Sequence, residues 1–341
     1  MTKPTRSVLR MPRRKGPERD APTARLSESP LPAVDGVSSW PGRTVEVGGQ
    51  DVFVRTTPSD RADAEPALFV HGLGGASTNW TDLAALLRDD LAIEAIDLPG
   101  FGRSGPARND DYSLEAHART VIAYLEQSAR GPVHLIGNSM GGAISLIVAA
   151  TRPDLIRTLS LISPAVPDRK IRAHVLKTDW RFALLLVPMI GMRALRKLGS
   201  IPVETRVKGT IALCFADPSR LSKQRYDEMV SEAKARADSP WVDTATLRST
   251  RGLVRSQFLK GRAGWAQMST ISAPTLVVWG DEDKLVAPDL APYVAGAIPH
   301  SRLLVLDNVG HVAMIEMPEI TARAVLALVE DARATVRADD S

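Results

Sequence analysis

The chain has 341 residues, of which 44% are hydrophobic and 24% charged, and it contains a single cysteine. This composition is too apolar for a disordered protein and too varied for a fibrous one. A lone cysteine, Cys214, can form neither an internal disulfide nor a cysteine-rich metal site. We therefore expect a globular protein that needs no oxidising compartment, and we predict a cytoplasmic location.

The positive charge of the chain is concentrated at its N-terminus. The formal net charge is +4, but the first 26 residues carry +6, which leaves −2 on the remainder. Because the body is close to neutral, we expect no nucleic-acid partner. Residues 1–40 are rich in Pro, Ser and Arg without apolar periodicity, which predicts a disordered basic tail. No apolar run of the length that a secretory signal needs follows the basic residues, and no run in the chain is long enough for an integral membrane segment.

Beyond residue 40, two β-like segments (44–47 and 52–55) precede an alternation of short apolar runs with amphipathic stretches. The apolar runs are residues 67–70 (ALFV), 92–96 (AIEAI), 133–136 (VHLI), 158–162 (TLSLI), 275–279 (TLVVW) and 303–306 (LLVL). Repetition of strand, helix and strand is typical of βαβ units. The pattern predicts an α/β protein with a doubly wound, mostly parallel sheet that has helices on both faces.

One interval interrupts this alternation. More than a hundred residues between Ser163 and Thr275 have the pattern of helices and loops. We interpret residues 166–270 as an inserted helical cap between two parts of the core, 41–165 and 271–341. In doubly wound sheets, ligands bind outside the carboxyl ends of the strands, so a cap at that edge would cover the site.

The apolar segment 180–192 lies within the predicted cap and contains Pro188. We interpret it as cap core, with a wall for an acyl chain or contact with a lipid surface as alternatives. Cys214 lies in the apolar run TIALCFA, which favours a role in buried packing.

Residues 137–141 (GNSMG) fit the pattern G-x-S-x-G. They directly follow the apolar run VHLI and directly precede a helical run, so the serine falls in a tight turn between strand and helix. Such a turn forces a nucleophile into a strained backbone conformation, and the small flanking residues leave room for it. We predict that Ser139 is a nucleophile.

A serine nucleophile needs a base, and the base needs an acid that orients it. His311 follows the run LLVL, and residues 280–283 (GDED) follow the run TLVVW. The order Ser, Asp, His is the one expected of α/β hydrolases. We assign His311 as the base and Asp283 as the acid. Spacing alone leaves Asp281 and Glu282 as alternatives, and Asp168, which follows the run TLSLI, is a further one.

Acyl transfer also needs donors for the developing oxyanion. One donor in this geometry is the backbone N–H after the nucleophile, which belongs to Met140. Residues 71–75 (HGLGG) follow the run ALFV, and their glycines allow close approach of the backbone to a ligand. We assign the second oxyanion donor to Leu73. This chemistry requires no cofactor and no metal.

With these motifs the chain resembles the α/β-hydrolase superfamily over roughly residues 41–341. Residues 97–104 (DLPGFGRS) are similar to the family's D-x-P-G-x-G-x-S turn after the fourth strand. Residues 310–319, which begin Gly-His and continue to Glu316 and Pro318, resemble the family's G-H-x-x-x-x-E-x-P-E ending. The resemblance implies an eight-stranded sheet with an inserted helical cap.

The resemblance also limits the reactions that we expect this chain to catalyse. A serine at position 139 argues against haloalkane dehalogenases and epoxide hydrolases, whose nucleophile is a carboxylate. Residues 137–145 (GNSMGGAIS), with Ser163-Pro164-Ala165, resemble bacterial lipases and monoacylglycerol-lipase-like hydrolases. The meta-cleavage-product hydrolases share this elbow, but they usually have Pro-Gly in the oxyanion loop and Trp after the histidine, where this chain has HGLGGAS and Val312.

We therefore predict a serine hydrolase that cleaves small-molecule carboxylic esters of hydrophobic acyl groups through an acyl-enzyme intermediate. A first alternative keeps the triad but hydrolyses a carbon–carbon bond. A second is a non-catalytic, ligand-sensing hydrolase fold. The sequence does not predict an oligomeric state.

Overall fold

The computed structural model describes residues 20–34, 36–59, 61–167, 199–259 and 261–339. The strands are β1 (Gly42–Val47), β2 (Gln50–Thr57), β3 (Glu65–Val70), β4 (Leu91–Ile96), β5 (Val133–Asn138), β6 (Ile156–Ile162), β7 (Thr275–Gly280) and β8 (Ser301–Leu306). The helices are α1 (Thr81–Leu87), α2 (Leu114–Ser128), α3 (Met140–Thr151), α4 (Val203–Cys214), α5 (Lys223–Ala237), α6 (Val242–Leu259), α7 (Gly261–Met268), α8 (Ala291–Ala297), α9 (Ala313–Glu316) and α10 (Pro318–Asp339).

The strands form one eight-stranded sheet in the order β1-β2-β4-β3-β5-β6-β7-β8. β2 pairs antiparallel with both β1 and β4, and all the other neighbours are parallel. The prediction of a mostly parallel, eight-stranded α/β sheet is therefore confirmed. Its central strands β5 and β7 are buried at every position, because helices cover both faces and each side chain meets a core.

Successive side chains of a strand enter two different cores. Leu68 and Val70 of β3 pack with α2, α3 and α8, whereas Ala67 and Phe69 pack with α1 and α10. This alternation follows from the two-residue period of a strand. It fixes the register of β3, because a shift by one residue would exchange the two sets.

The described part of the inserted segment consists of helices joined by loops. Helices α4 to α7 occupy it, and the described residues between β6 and β7 contain no strand. Arg225 fastens α5 to the core, because its guanidinium donates to Asp82 of α1 at 2.7 and 2.9 Å. Residues 180–192 lie outside the described residues. The boundaries of the cap, 166–270, remain a prediction.

The described part of the predicted disordered tail contacts the body. Thr23 forms a parallel bridge with Leu303 of the edge strand β8, and Ala24 N–H donates to the Leu303 carbonyl at 2.8 Å. Arg25 pairs with Glu330 and Asp331 of α10 at 3.0 Å. This stretch therefore pairs with the exposed edge of the sheet, a contact that needs no hydrophobic periodicity.

Cys214, predicted to be buried, is partly buried and packs against one of the two cores, and the burial of its thiol raises the pKa of that group to about 12. Within the part of the chain that the structure describes, no helix combines the length and hydrophobicity needed to cross a membrane.

Candidate active site

Ser139 lies in the turn between β5 and α3 with φ 54° and ψ −117°, a conformation that is strained for a residue with a side chain. Three backbone hydrogen bonds hold it there. Its N–H donates to the Ile162 carbonyl at 3.0 Å, and its own carbonyl accepts the N–H groups of Ala143 at 3.0 Å and Ala165 at 2.9 Å. The surrounding backbone therefore maintains the strained turn, and the side chain of Ser139 stays partly accessible.

The glycines around Ser139 permit this turn. A Cβ atom at Gly141 would lie 2.1 Å from the Val70 carbonyl oxygen, and one at Gly137 would lie 2.5 Å from that of Gly141. Real side chains do not approach so closely, so α3 can begin against the end of β3 only with glycine at these positions.

Asp283 and His311 meet at the carboxyl ends of β7 and β8. Asp283 Oδ2 lies 2.8 Å from His311 Nδ1, and both side chains are almost fully buried. The other carboxylate oxygen accepts the N–H groups of Leu285 at 2.8 Å and Val286 at 2.9 Å. Because a carboxylate can only accept, Nδ1 carries the proton, and Nε2 is left as a base.

The alternative acids are placed differently. Asp281 accepts from Val309 N–H at 3.4 Å, and Glu282 is exposed. Asp168 lies outside the described residues. Of the carboxylates that the structure describes in this loop, Asp283 is the one that contacts His311.

Two contacts bring the three loops together. The side-chain amide of Asn138 donates to the carbonyls of Ile162 and His311, both at 3.1 Å, and so ties the nucleophile turn to the histidine loop. A Cβ atom at Gly72 would lie 3.1 Å from Cβ of Ser139, which places the glycine-rich loop beside the serine. Leu73 follows Gly72 in that loop, and Met140 opens α3.

His71 anchors the glycine-rich loop, a role that the sequence analysis missed. Its Nδ1 lies 2.7 Å from the Gly72 carbonyl, and its Nε2 accepts the Leu98 N–H at 3.0 Å. Burial lowers the pKa of His71 to about 4. The ring is therefore neutral at pH 7, with its proton on Nδ1, and it joins the loop to the turn after β4.

The turn after β4 is built around Asp97. Its buried carboxylate accepts the N–H groups of Ser77 at 2.5 Å and Arg103 at 2.8 Å, and burial raises the pKa of Asp97. A Cβ atom at Gly102 would lie 2.1 Å from the Asp97 carboxylate. Ser104 donates to the Asp97 carbonyl at 2.6 Å. The DLPGFGRS motif thus supports the far end of the glycine-rich loop.

Arg236 of α5 contacts the glycine-rich loop from the insertion. Its Nη1 donates to the Gly74 carbonyl at 2.7 Å and approaches that of Gly75 at 3.4 Å. Burial lowers the pKa of this guanidinium, and the carboxylates of Glu232 and Asp97 oppose that shift. Sequence reasoning missed Arg236, since it lies about 160 residues from its partners and belongs to no motif.

The other described histidines lie elsewhere. His134 within β5 contacts Thr158 at 2.8 Å, and His117 of α2 contacts Ser249 at 3.4 Å. His300 is exposed. Among the residues described, no group of three or more His, Cys, Asp or Glu side chains is placed to hold a metal ion.

A sequence model described as alpha/beta hydrolase fold matches residues 66–318, about three quarters of the chain. The chain belongs to the α/β-hydrolase fold family. The family match agrees with the sheet order, the strained serine turn and the histidine loop described above.

Two relatives illustrate the range of the family. The chain is 28% identical over 286 residues to the dihydrolipoyllysine-residue acetyltransferase component of an acetoin cleaving system from Pseudomonas putida, covering 83% of this chain and 67% of that protein. It is 26% identical over 283 residues to the monoacylglycerol lipase ABHD6 of Bos taurus, covering 80% and 77%. Both names describe acyl chemistry.

Solved structures confirm the fold. A putative lipase from Acinetobacter baumannii superimposes with a TM-score of 0.71 at 20% identity, covering 87% of this chain and 93% of the other. A haloalkane dehalogenase from Bradyrhizobium elkanii also gives a TM-score of 0.71, at 22% identity, covering 88% and 99%. Because a lipase and a haloalkane dehalogenase superimpose on this chain equally well, the fold alone does not identify the reaction.

Proposed function

We propose that this chain is a serine hydrolase that cleaves carboxylic esters of hydrophobic acyl groups. The observation that carries the proposal is the 2.8 Å contact between His311 Nδ1 and Asp283, at the same sheet edge as the strained turn of Ser139. An acid that orients a histidine beside an accessible serine is the arrangement that makes a hydroxyl nucleophilic at neutral pH.

The proposed mechanism has two halves. His311 Nε2 takes the proton of Ser139 Oγ as the oxygen attacks the ester carbonyl, and the N–H groups of Leu73 and Met140 stabilise the oxyanion. The imidazolium then protonates the leaving alcohol. In the second half His311 takes a proton from water, which attacks the acyl-enzyme, and the acid is released with Ser139 restored. Asp283 stays ionised throughout and holds the ring.

Three observations support ester substrates over the other reactions of the fold. Position 139 is a serine, whereas a dehalogenase of this fold uses a carboxylate nucleophile. The relatives include a monoacylglycerol lipase and an enzyme named Lipase 3 from Moraxella sp., the latter 27% identical over 271 residues. The glycine-rich loop reads HGLGGAS, where the meta-cleavage-product hydrolases usually have Pro-Gly.

In the same proposal the insertion, residues 166–270, acts as a cap over the site, and the protein works in the cytoplasm without a metal or cofactor. The contacts of Arg225 with Asp82 and of Arg236 with Gly74 support the placement of the cap.

A fluorophosphonate probe tests the nucleophile. We expect labelling of the wild type and none of Ser139→Ala, with Ser145→Ala as the matched control that is still labelled. Ser145 is fully buried in α3, and its hydroxyl donates to the Gly141 carbonyl at 2.8 Å, so it is not exposed to the probe. Equal labelling of wild type and Ser139→Ala, or of neither, would contradict the proposal.

A chain-length series of p-nitrophenyl esters tests the substrate class. We expect kcat/KM to rise with acyl length up to a maximum, because each buried methylene contributes about 0.8 kcal/mol. A flat and barely detectable response, together with rapid turnover of a vinylogous diketone, would assign the chain to carbon–carbon bond hydrolysis instead.

A further inference from the structure

The carboxylate of Glu316 lies at the centre of a buried contact between the insertion and the histidine loop. Glu316 ends the short helix α9, five residues after His311, and its side chain has no exposed surface. The GH-x-x-x-x-E-x-P-E ending contains this residue, and the proposed mechanism assigns it no role.

The two carboxylate oxygens face different parts of the chain. Oε1 accepts the N–H groups of Asp217 at 2.8 Å and Ala216 at 3.1 Å, and it lies 3.3 Å from the guanidinium of Arg220. Oε2 accepts the N–H of Gly310 at 2.8 Å and approaches Ala216 N–H at 3.3 Å. One oxygen thus binds the segment after α4, and the other binds the residue before His311.

The segment that follows α4 also contacts His311 directly. The His311 N–H donates to the Cys214 carbonyl at 2.7 Å. A Cβ atom at Gly310 would lie 2.3 Å from the same oxygen, so this approach requires glycine. Glu316 therefore holds two backbone segments against each other where neither can move without breaking buried hydrogen bonds.

The loop that carries Asp283 reaches the same end of α4. Lys284, the residue after Asp283, donates its ammonium group to the carbonyls of Ala212 at 3.1 Å and Phe215 at 3.2 Å. The end of α4 thus contacts both loops from which the Asp283–His311 pair projects.

We infer that Glu316 is a positioning residue that fixes the backbone of His311 against the insertion and so sets the place of the imidazole relative to Ser139. The inference rests on the proposed function. Physically, a carboxylate that accepts several buried backbone N–H groups forms strong charge-assisted hydrogen bonds, and removing it leaves those donors unsatisfied. A displacement of a catalytic group by about 1 Å reduces the rate about a hundredfold.

The decisive variant is Glu316→Gln. Glutamine has the same shape but one acceptor oxygen, so its NH₂ group must face either Gly310 N–H or Asp217 N–H. We expect kcat to fall ten- to a hundredfold while KM changes less than twofold. The rate of fluorophosphonate labelling should fall by the same factor as kcat, and the final stoichiometry should stay at one probe per chain.

The matched control is Glu319→Gln, three residues further along. Glu319 is exposed, pairs with Arg323 at 3.2 Å, and should keep wild-type kcat. Glu316→Asp retains the charge but shortens the side chain, and we expect the same loss of kcat from it. This variant decides the question if glutamine prevents folding.

The inference is overturned if folded Glu316→Gln or Glu316→Asp keeps kcat and the labelling rate within twofold of wild type, even if its melting temperature falls. That result differs from failure of the proposed function, in which the wild type itself is not labelled at Ser139.

Discussion

Three hydrogen bonds of Asp283 fix the orientation of the His311 ring. Each oxygen of Asp283 has a defined donor: His311 Nδ1 on one side and the N–H groups of Leu285 and Val286 on the other. The carboxylate therefore cannot rotate away from the ring without losing two backbone contacts. This fixes both the tautomer and the orientation of the imidazole.

We expect Asp283→Asn to lower kcat by about 10³- to 10⁴-fold, because an amide can donate to Nδ1 and so favours the wrong tautomer. KM should change little, since Asp283 is not expected to contact the substrate. Steady-state kinetics on a p-nitrophenyl ester measure both values.

Glu282→Gln is the control for this change, as Glu282 is exposed in the same loop and should keep wild-type kcat. The remaining candidate acid is tested by Asp168→Asn. If that variant loses activity while Asp283→Asn retains it, the assignment of the acid is wrong.

At the scale of elements, helix α5 links the insertion to the core at both of its ends. Arg225 in its first turn binds Asp82 of α1, and Arg236 in its last turn binds the carbonyls of Gly74 and Gly75. The glycine-rich loop is thus held by His71 and Asp97 from the core and by Arg236 from the insertion. The insertion therefore contacts the candidate site directly, whether or not it also acts as the proposed cap.

We expect Arg236→Gln to lower kcat about tenfold, because the carbonyls of Gly74 and Gly75 lose their charged donor and the position of the Leu73 N–H becomes less fixed. The complete loss of one oxyanion donor lowers kcat by about 10²- to 10³-fold, so a displaced donor should cost less. Lys234→Gln is the control. Lys234 lies on the same helix and pairs with Glu204 at the surface. Equal kcat in wild type and Arg236→Gln would show that the loop holds its position without the insertion.

At the scale of the whole molecule, buried neutral histidines make stability depend on pH. Burial lowers the pKa of His117 to about 3, with the nearby His71 lowering it further and Asp111 opposing, and burial lowers the pKa of His71 to about 4. An unfolded chain protonates both near pH 6.5, so below that pH the unfolded state binds more protons.

We therefore expect the free energy of unfolding to be fully retained above pH 6.5 and to fall as the pH drops toward 5. The expected slope approaches about 1.4 kcal/mol per pH unit for each of the two histidines. Urea denaturation at several pH values measures it. His117→Gln should reduce this slope by the share of one histidine, up to about 1.4 kcal/mol per pH unit, whereas His300→Gln, at an exposed position, should leave it unchanged. An unchanged slope in His117→Gln would contradict the assignment.

The sheet and the positions of the candidate residues follow from local features of the sequence. Each central strand is a short apolar run because both of its faces are buried. Ser139 directly follows β5, and Asp283 and His311 lie in the loops that follow β7 and β8, three and five residues after the strand ends. Parallel strands end at one edge of a sheet, so residues that follow them converge there whatever the details of packing. Order along the chain was enough to predict which loops would meet.

Contacts between distant segments had no such local signal. The choice of Asp283 over Asp281 and Glu282, the bridge of Thr23 to Leu303, and the contacts of Arg236 with Gly74 all depend on how side chains pack in three dimensions. The same is true of Glu316. The sequence contains its motif, but it does not indicate that the side chain accepts the N–H groups of Asp217 and Gly310. The sequence by itself determined the fold and the loops that carry the candidate residues, because strand burial and chain order are local properties. Only the tertiary structure decided which groups hold those loops in place, because a hydrogen bond requires two atoms within about 3 Å and sequence spacing does not specify that distance.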